Sequence, residues 1–97
     1  MAAYLIANLQ VHDAQGFARY GALVEVMIAR TGGRYLVRGG KLEDVEGQMG
    51  LTRLIVLEYP DMASLRAFYF GEDYKPLLAM REAAATSQVT LVEGCAP

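Results

Sequence analysis

The stretch "TGGRYLVRGGKLEDVEG", from Thr31 to Gly47, contains five of the ten glycines in the chain and marks the change from a helix to a strand. Glycine can adopt the left-handed backbone conformation that closes a helix, so Gly32–Gly33 is expected to end one. The run "RYLVR" is then a short strand, and Gly39–Gly40 is expected to end it. The polar segment that follows predicts a connection to the next strand.

A phosphate-binding loop is the functional alternative for these glycines, and its pattern is not met. A Walker loop has Ser or Thr directly after its lysine, whereas Leu42 follows Lys41. A dinucleotide-binding fingerprint needs the spacing G-x-G-x-x-G between a strand and a helix, whereas these glycines follow a helix pattern. The glycines therefore indicate turns around a strand, and no nucleotide cofactor is predicted.

A strand and a helix are predicted on the amino-terminal side of this stretch. Ala3–Val11 has apolar residues on both faces, which is typical of a strand covered on each side. Asp13 is the expected N-cap of the helix that follows. Apolar side chains then recur at spacings of three and four, which predicts one buried stripe made of Phe17, Tyr20, Val24, Met27 and Ile28.

On the carboxyl-terminal side, the run "LTRLIVLEY", Leu51–Tyr59, is the strongest strand signal in the chain. Asp61 is the expected N-cap of a helix after it. Gly71 interrupts that helix, and Asp73 is expected to cap a second helical segment. The run "SQVTLVEG", Ser87–Gly94, is predicted to be the last strand.

The resulting order βαββαβ predicts a single α+β domain, residues 1–97, with the ferredoxin-like fold. In this fold a four-stranded antiparallel sheet carries its helices on one face. The strands have apolar residues at both parities, as in Leu5 with Ile6 and Leu54 with Ile55. Because one chain supplies helices for one face only, a second copy is expected to cover the other face, which gives a homodimer.

Composition and charge argue against several classes of partner. With 54% hydrophobic and 21% charged residues, the chain is predicted to be globular. A formal net charge of -2 and the lack of a basic stripe predict no nucleic-acid partner. No apolar run reaches the roughly 18 residues of a membrane span, so no membrane partner is predicted. Because the amino terminus also lacks a secretory signal, a cytoplasmic location is expected.

Several motifs together resemble a known family: "GGRYLVRGG", "VLEYP", "FYFGEDYKPLLAMR" and the terminal "VEG". They are similar to a family of small bacterial proteins that is classed as a domain of unknown function within the dimeric α/β-barrel superfamily. The resemblance implies a ferredoxin-like protomer in a two-fold dimer whose sheets close into a barrel. It implies no established activity, since cofactor-independent monooxygenases, lactone isomerases and haem enzymes share this architecture.

His12 is the only histidine, and it lies where the first strand meets the first helix. A single histidine cannot build a histidine metal site, and no metal or other cofactor is predicted. Histidine is the most frequent general base in enzymes, so His12 is the candidate catalytic residue if it faces a cleft. The alternative is a solvent-facing turn residue beside the Asp13 cap.

Arg38, Arg53 and Arg81 are candidate ligand-binding residues. Arg53 is predicted to lie inside an otherwise apolar strand, where a guanidinium is unfavourable unless it is paired. One possible partner is a carboxylate ligand, which a guanidinium binds through two parallel hydrogen bonds. The alternative is an ion-pair network in which Glu58 or Glu93 pairs with these arginines.

Tyr35, Tyr69 and Tyr74 are expected to form an aromatic group near those arginines. Tyrosine is common in cores and interfaces, where its hydroxyl is hydrogen-bonded, and this is the structural interpretation. In the functional interpretation the same rings line an apolar pocket, and their phenols orient a polar group of the ligand.

These residues lead to two hypotheses about function. In the first, the protein binds a small carboxylate or other anionic organic molecule in a cleft between sheet and helices, with or without cofactor-independent catalysis. In the second, it is a non-catalytic structural or binding homodimer without a small-molecule site. A cavity with convergent polar groups would favour the first hypothesis, and a core filled by the same side chains would favour the second.

Overall fold

Seven helices and strands follow one another in a computed structural model of the chain, which describes residues 1–96. They are β1 (Ala3–Val11), α1 (Ala14–Arg30), β2 (Arg34–Arg38), β3 (Leu54–Tyr59), α2 (Met62–Tyr69), α3 (Lys75–Ala84) and β4 (Ala85–Glu93). Gly71 lies between α2 and α3, which confirms the predicted break in the second helical region. Among residues 1–96, no helix is both long enough and apolar enough to cross a bilayer.

The four strands form one open antiparallel sheet in the order β2-β3-β1-β4. β1 is a central strand, in which Leu5 lies opposite Leu57 of β3 on one side and opposite Leu91 of β4 on the other. This strand order, with the helices packed against the sheet, is the ferredoxin-like arrangement. The predicted α+β fold class is therefore confirmed.

The two faces of the sheet differ in burial, because successive side chains of a strand point to opposite sides. On the side that the helices cover, which we call the inner face, β1 contributes the buried residues Ala3, Leu5, Ala7 and Leu9. On the opposite side, the outer face, Ile6 of β1 lies beside Val56 of β3. Ile6 is 40% exposed and Val92 of β4 is 41% exposed, so the outer face presents apolar side chains to solvent.

Local sequence signals set both ends of α1 where they were expected. Asp13 is the N-cap, and the Gly16 amide donates a hydrogen bond to its Oδ1 at 3.1 Å. At the other end Gly32 has a φ angle of 95°. The Gly33 amide donates to the Ile28 carbonyl oxygen at 2.9 Å, which is the Schellman arrangement of a helix end. The first glycine pair therefore ends the helix, as predicted.

A β-bulge interrupts β2 between Tyr35 and Val37, where the register against β3 shifts. Tyr35 lies opposite Leu57, and Arg38 lies opposite Ile55. Leu57 and Ile55 are two residues apart, so they share the inner face of β3. In a regular strand, residues three positions apart point to opposite faces, but the extra residue of the bulge places both Tyr35 and Arg38 on the inner face.

The predicted start of β3 is wrong. The strand begins at Leu54 and not at Leu51, because the amides of Thr52 and Arg53 donate to the side chain of Asn8. Arg53 therefore lies just before the strand and is exposed, whereas the sequence pattern placed it inside an apolar strand.

The predicted cap of α3 is also wrong. The N-cap position is occupied by Tyr74, whose side chain makes no capping hydrogen bond, and Asp73 is exposed one residue earlier. The Tyr74 amide donates to the Gly71 carbonyl oxygen at 3.3 Å, and the Tyr74 ring is buried, so a turn and burial of the ring set this helix start. β4 begins at Ala85, directly after α3 and two residues before the predicted Ser87.

Candidate functional site

A cavity of about 350 Å³ lies between α1 and the inner face of the sheet. Its wall is mainly apolar and includes Leu5, Leu9, Phe17, Val24, Ile28, Ile55, Leu57 and Phe68. Space remains because α1 carries small residues here, and a Cβ added at Gly21 would meet no atom within 4 Å. The volume falls at the lower end of the range of ligand pockets, about 300–1,000 Å³.

One arginine and three tyrosines form a hydrogen-bonded chain at the buried end of the cavity, which we call the inner end. The hydroxyls of Tyr20 and Tyr74 lie 2.7 Å apart. Arg81 Nη1 donates to the Tyr74 hydroxyl at 2.9 Å, and Arg81 Nη2 donates to the Tyr69 hydroxyl at 3.3 Å. Tyr20 belongs to α1, Tyr69 to α2 and Arg81 to α3, so these hydrogen bonds connect all three helices.

The position of Arg81 follows from the helical periodicity of α3. Tyr74, Leu77 and Arg81 are spaced by three and four residues, so they share the face of the helix that packs into the core. The ring of Phe68 lies 4.9 Å from the ring of Tyr74 and holds it in place. The long Arg81 side chain thereby extends from an apolar helix face to the cavity wall.

Arg81 is a buried cation without a carboxylate partner. Arg81 is 7% exposed. It forms no ion pair within residues 1–96, and its Nε has no hydrogen-bond partner among these residues. Burial opposes the charged form, but the hydroxyls of Tyr69 and Tyr74 around the guanidinium leave the pKa of Arg81 above its ordinary value. Arg81 therefore stays charged, although buried charges are normally paired with an opposite charge.

The phenols of the cavity wall are uncharged at neutral pH. Burial raises the pKa of Tyr20, and burial together with the neighbouring Tyr20 raises the pKa of Tyr74. Burial also raises the pKa of Tyr35, which lines the wall from β2. These hydroxyls can therefore donate and accept hydrogen bonds without adding negative charge to the cavity.

Arg38 and Arg53 form the exposed end of the cavity, which we call the mouth. Arg38 forms an ion pair with Glu25 of α1 at 3.1 Å, and its guanidinium carbon lies 4.4 Å from the centre of the Tyr35 ring. The guanidinium carbon of Arg53 lies 5.2 Å from the centre of the Phe17 ring, within the range of a cation–π interaction. Two arginines and one glutamate make the mouth net positive.

The side chain of Asn8 holds Arg53 at the mouth. Its Oδ1 accepts hydrogen bonds from the amides of Thr52 at 2.8 Å and Arg53 at 3.2 Å. Its Nδ2 donates to the Gly50 carbonyl oxygen at 3.4 Å. This polar residue of a largely apolar strand therefore fixes the end of the long loop between β2 and β3.

The structure brings together most of the predicted ligand-binding residues. The cavity wall contains Tyr35, Arg38, Arg53, Tyr74 and Arg81. Tyr69 lies outside the wall and contacts it through Arg81. His12, the candidate catalytic residue, is exposed at the start of α1 and is not part of the wall.

The ion pairs differ from the predicted network. Glu58 pairs with Arg34 at 2.7 Å, away from the cavity arginines. Glu93 forms no ion pair within the part of the chain that the structure describes. Within residues 1–96 neither Glu58 nor Glu93 pairs with the cavity arginines, and Arg38 pairs with Glu25 instead.

Tyr20 and Gly21 are site residues that the sequence interpretation missed. Helical periodicity assigns Tyr20 to the buried stripe, which is correct for its ring but does not place its hydroxyl beside α3. The available signal is the run "FARYGA", Phe17–Ala22, in which three of the six residues are Ala or Gly on a helix that faces the sheet. Such residues leave space beside a large side chain and thereby indicate a cavity.

The comparison with protein families gives a match over nearly the whole chain. Residues 2–95 match the model of a family described as a domain of unknown function, DUF1330. This match confirms the predicted resemblance to a domain of unknown function. No curated protein is similar enough to the chain to match it.

The comparison with solved structures supports the fold. A protein of unknown function from Rhodopseudomonas palustris has a TM-score of 0.76 at 18% identity, over 99% of this chain and 84% of its own. A dimeric ferredoxin-like protein of unknown function from Jannaschia sp. has a TM-score of 0.71 at 15% identity, over 97% of this chain and 100% of its own. SnoaB, a cofactor-independent oxygenase from Streptomyces nogalater, has a TM-score of 0.66 at 15% identity, over 99% of this chain and 95% of its own. At these identities the likeness shows the fold alone.

Proposed function

This chain belongs to the DUF1330 family, and we propose that it is a small-molecule-binding protein whose ligand is a small organic anion held in the cavity between α1 and the sheet. One observation carries the proposal: an apolar cavity is lined by a buried guanidinium, Arg81, that has no carboxylate partner within residues 1–96. An anion in the cavity would supply the missing opposite charge.

The charge at the mouth supports the same ligand class. Glu25 offsets Arg38 through their ion pair, whereas Arg53 forms no ion pair with any residue from 1 to 96. A positive mouth raises the local concentration of anions and speeds their capture. The cavity volume suits a ligand whose apolar part consists of one or two rings. Burial of this apolar surface against the apolar wall would add to the affinity.

We assign no catalytic role to His12, because its side chain lies outside the cavity wall. Any chemistry in the cavity would have to use the phenols and guanidiniums of the wall. SnoaB is similar in fold at 15% identity, and its oxygenase activity is not transferred to this chain.

The test is calorimetric titration of the protein with 1-naphthoate, with the uncharged 1-naphthalenemethanol as the comparison ligand. We expect the anion to bind more tightly, because the wall carries net positive charge. Gly21→Phe places a ring where a Cβ meets no atom within 4 Å, so the variant is expected to fill the cavity and abolish binding. Gly21→Ala adds one methyl group at the same position and is the matched control, which should still bind.

Two results would contradict this proposal. If Gly21→Phe binds 1-naphthoate as tightly as the unmodified protein, the molecule binds elsewhere. If the unmodified protein binds neither ligand, the cavity is not a site for organic anions of this size, and the alternative of a structural homodimer becomes the better account.

We also propose that two copies of the chain form a homodimer through the outer face of the sheet. The structurally similar protein from Jannaschia sp. is a dimeric ferredoxin-like protein, which supports this assembly. The exposed apolar side chains of the outer face, such as Ile6 and Val92, would be buried by a second copy.

Sedimentation equilibrium tests the dimer with two charge-introducing variants. Val56→Asp places a carboxylate at the centre of the outer face, beside Ile6, and is expected to give monomers. Val26→Asp places the same group on α1, where Val26 is 62% exposed, and should leave the mass unchanged. A dimer that survives Val56→Asp would place the interface elsewhere.

A further inference from the structure

We propose that the inner end of the cavity donates a hydrogen bond from the Tyr20–Tyr74 pair to an oxygen of the ligand, and that the ligand class is therefore phenols and enols bound as their anions. This inference deepens the proposed function and rests on it, because it concerns the same cavity. It gives Tyr20, Tyr74 and Arg81 a binding role with a defined direction of hydrogen bonding.

The Tyr20–Tyr74 pair holds one proton that no protein group accepts. Each phenol has one proton to donate, and a single hydrogen bond of 2.7 Å joins the two hydroxyls. Arg81 donates to Tyr74 and, because a guanidinium has no acceptor, cannot take the second proton. If Tyr20 donates to Tyr74, the Tyr74 proton has no acceptor within residues 1–96. If Tyr74 donates to Tyr20, the Tyr20 proton has none.

The unused donor is located in a buried and largely apolar wall. Tyr20 is 8% exposed and Tyr74 is 2% exposed, and both line the cavity. Buried donors without an acceptor are unfavourable and rare in folded proteins. A ligand oxygen at this end of the cavity would provide the acceptor that the protein itself lacks.

Arg81 makes this donor selective for a negatively charged oxygen. The guanidinium donates to the Tyr74 hydroxyl and polarises the hydrogen bonds beyond it. Donors backed by a buried positive charge stabilise an oxyanion more than a neutral oxygen. Phenolates and enolates carry such an oxygen on a flat apolar body that fits the wall. A carboxylate also meets the positive charge, but the pair offers a donor to only one of its two oxygens.

Tyr20 and Tyr74 are protonated at neutral pH, so they can donate hydrogen bonds but cannot act as bases. Burial raises the pKa of Tyr20, and burial and the neighbouring Tyr20 raise the pKa of Tyr74, so both phenols keep their protons at neutral pH. The ligand must therefore enter as the anion or lose its proton to solvent, since neither tyrosine is available to accept it.

The experiment uses 4-nitrophenol, whose phenolate is coloured and whose neutral form absorbs much less visible light. Absorbance is recorded against pH for the free probe and for the probe with saturating protein. We expect the midpoint of ionisation of the bound probe to lie about one pH unit below that of the free probe, which is a tenfold preference for the phenolate. Tyr74→Phe is expected to remove most of this shift, because Arg81 then no longer donates to the pair. Tyr20→Phe is expected to remove less of it, because the Tyr74 phenol and its hydrogen bond from Arg81 remain.

Two features of the design isolate the tyrosine pair. The other titratable groups of the wall are Tyr35, Glu25, Arg81 and the two mouth arginines, and they are the same in every variant. Tyr59→Phe is the matched control, because Tyr59 is also buried and its hydroxyl lies 2.8 Å from that of Thr31, outside the cavity wall. We expect this control to keep the full shift, and circular dichroism checks that each variant is folded.

The possible outcomes distinguish failure of the inference from failure of the proposed function. A midpoint in the bound state equal to that of the free probe would overturn the inference, and so would a shift that persists in both Tyr20→Phe and Tyr74→Phe. If 1-naphthoate binds and 4-nitrophenol does not, the inference fails while the proposed function stands. If neither compound binds, the proposed function fails and the inference fails with it.

Discussion

The arginines at the two ends of the cavity differ in burial and in the charge of their partners. At the inner end Arg81 is 7% exposed, and the hydroxyls of Tyr69 and Tyr74 are its hydrogen-bond partners. At the mouth the Arg38 side chain is 41% exposed and pairs with the carboxylate of Glu25. The same type of side chain is therefore buried among neutral partners at one end, and hydrated beside an anionic partner at the other.

This difference determines what each end can contribute to binding. An exposed ion pair is worth about 0–1 kcal/mol, because water already solvates both charges. A charge in a medium of low dielectric constant acts much more strongly on a nearby anion. We therefore expect the affinity for an anion to depend on the inner end, and the mouth to affect mainly the rate of capture.

The largest expected effect comes from replacing the arginine of each end in turn. Arg81→Met is expected to weaken 1-naphthoate binding about tenfold or more, because hydrogen bonds to a charged group contribute about 1.5–3 kcal/mol. Arg53→Met is expected to weaken it by about fivefold at most, since its guanidinium is hydrated. Calorimetric titration measures both affinities, and thermal unfolding checks that the variants are folded. An equal loss in the two variants would remove the distinction between the ends.

A smaller effect is expected from alkaline pH, and the inner end should contribute to it through two tyrosines. Burial raises the pKa of Tyr20 and Tyr74, so the folded protein keeps protons that the unfolded chain loses. This stabilisation is complete below the ordinary phenol pKa, about 10. It decreases as the pH rises above that value, by about 1.4 kcal/mol per pH unit for each tyrosine.

Urea unfolding at a series of pH values on either side of that pKa measures this dependence. Tyr20→Phe should reduce the slope by the contribution of one tyrosine. The same slope in the Tyr20→Phe variant would show that the inner end does not cause the alkaline sensitivity.

The smallest effect is expected at the mouth. Arg38→Met breaks the ion pair with Glu25, whose side chain is 58% exposed, and should lower the free energy of unfolding by about 0.5 kcal/mol or less. A double-mutant cycle with Glu25→Gln measures the coupling, which should decrease further as salt is added. A coupling of about 2 kcal/mol or more would mean that this pair behaves like a buried one.

Much of the fold could be predicted because its signals are local. The Asp13 cap and Gly32 at the end of α1 depend on a few neighbouring residues, and both are where the sequence placed them. The spacing of Tyr74 and Arg81 on one helix face likewise predicted two residues that line the cavity together.

The rest of the site depends on contacts between distant segments. Tyr35 and Arg38 share the inner face only because of the bulge in β2, and alternation along a regular strand would have separated them. The position of Arg53 depends on the side chain of Asn8, which is far away in sequence. The hydroxyl of Tyr20 meets Tyr74 only once α1 and α3 are packed. The cytoplasmic location and the lack of a nucleic-acid partner stay predictions.

The Asn8 side chain has a consequence for how long a molecule could remain in the cavity. Asn8 lies in the middle of β1, whereas the segment it holds carries Arg53 to the mouth. The loop from residue 39 to residue 53 is without helix or strand, and its last residues are held to β1 by the Asn8 side chain together with the backbone of Leu9. Outward movement of Arg53 requires these hydrogen bonds to break. The residence time of a bound molecule would then depend in part on a side chain that is not part of the cavity wall.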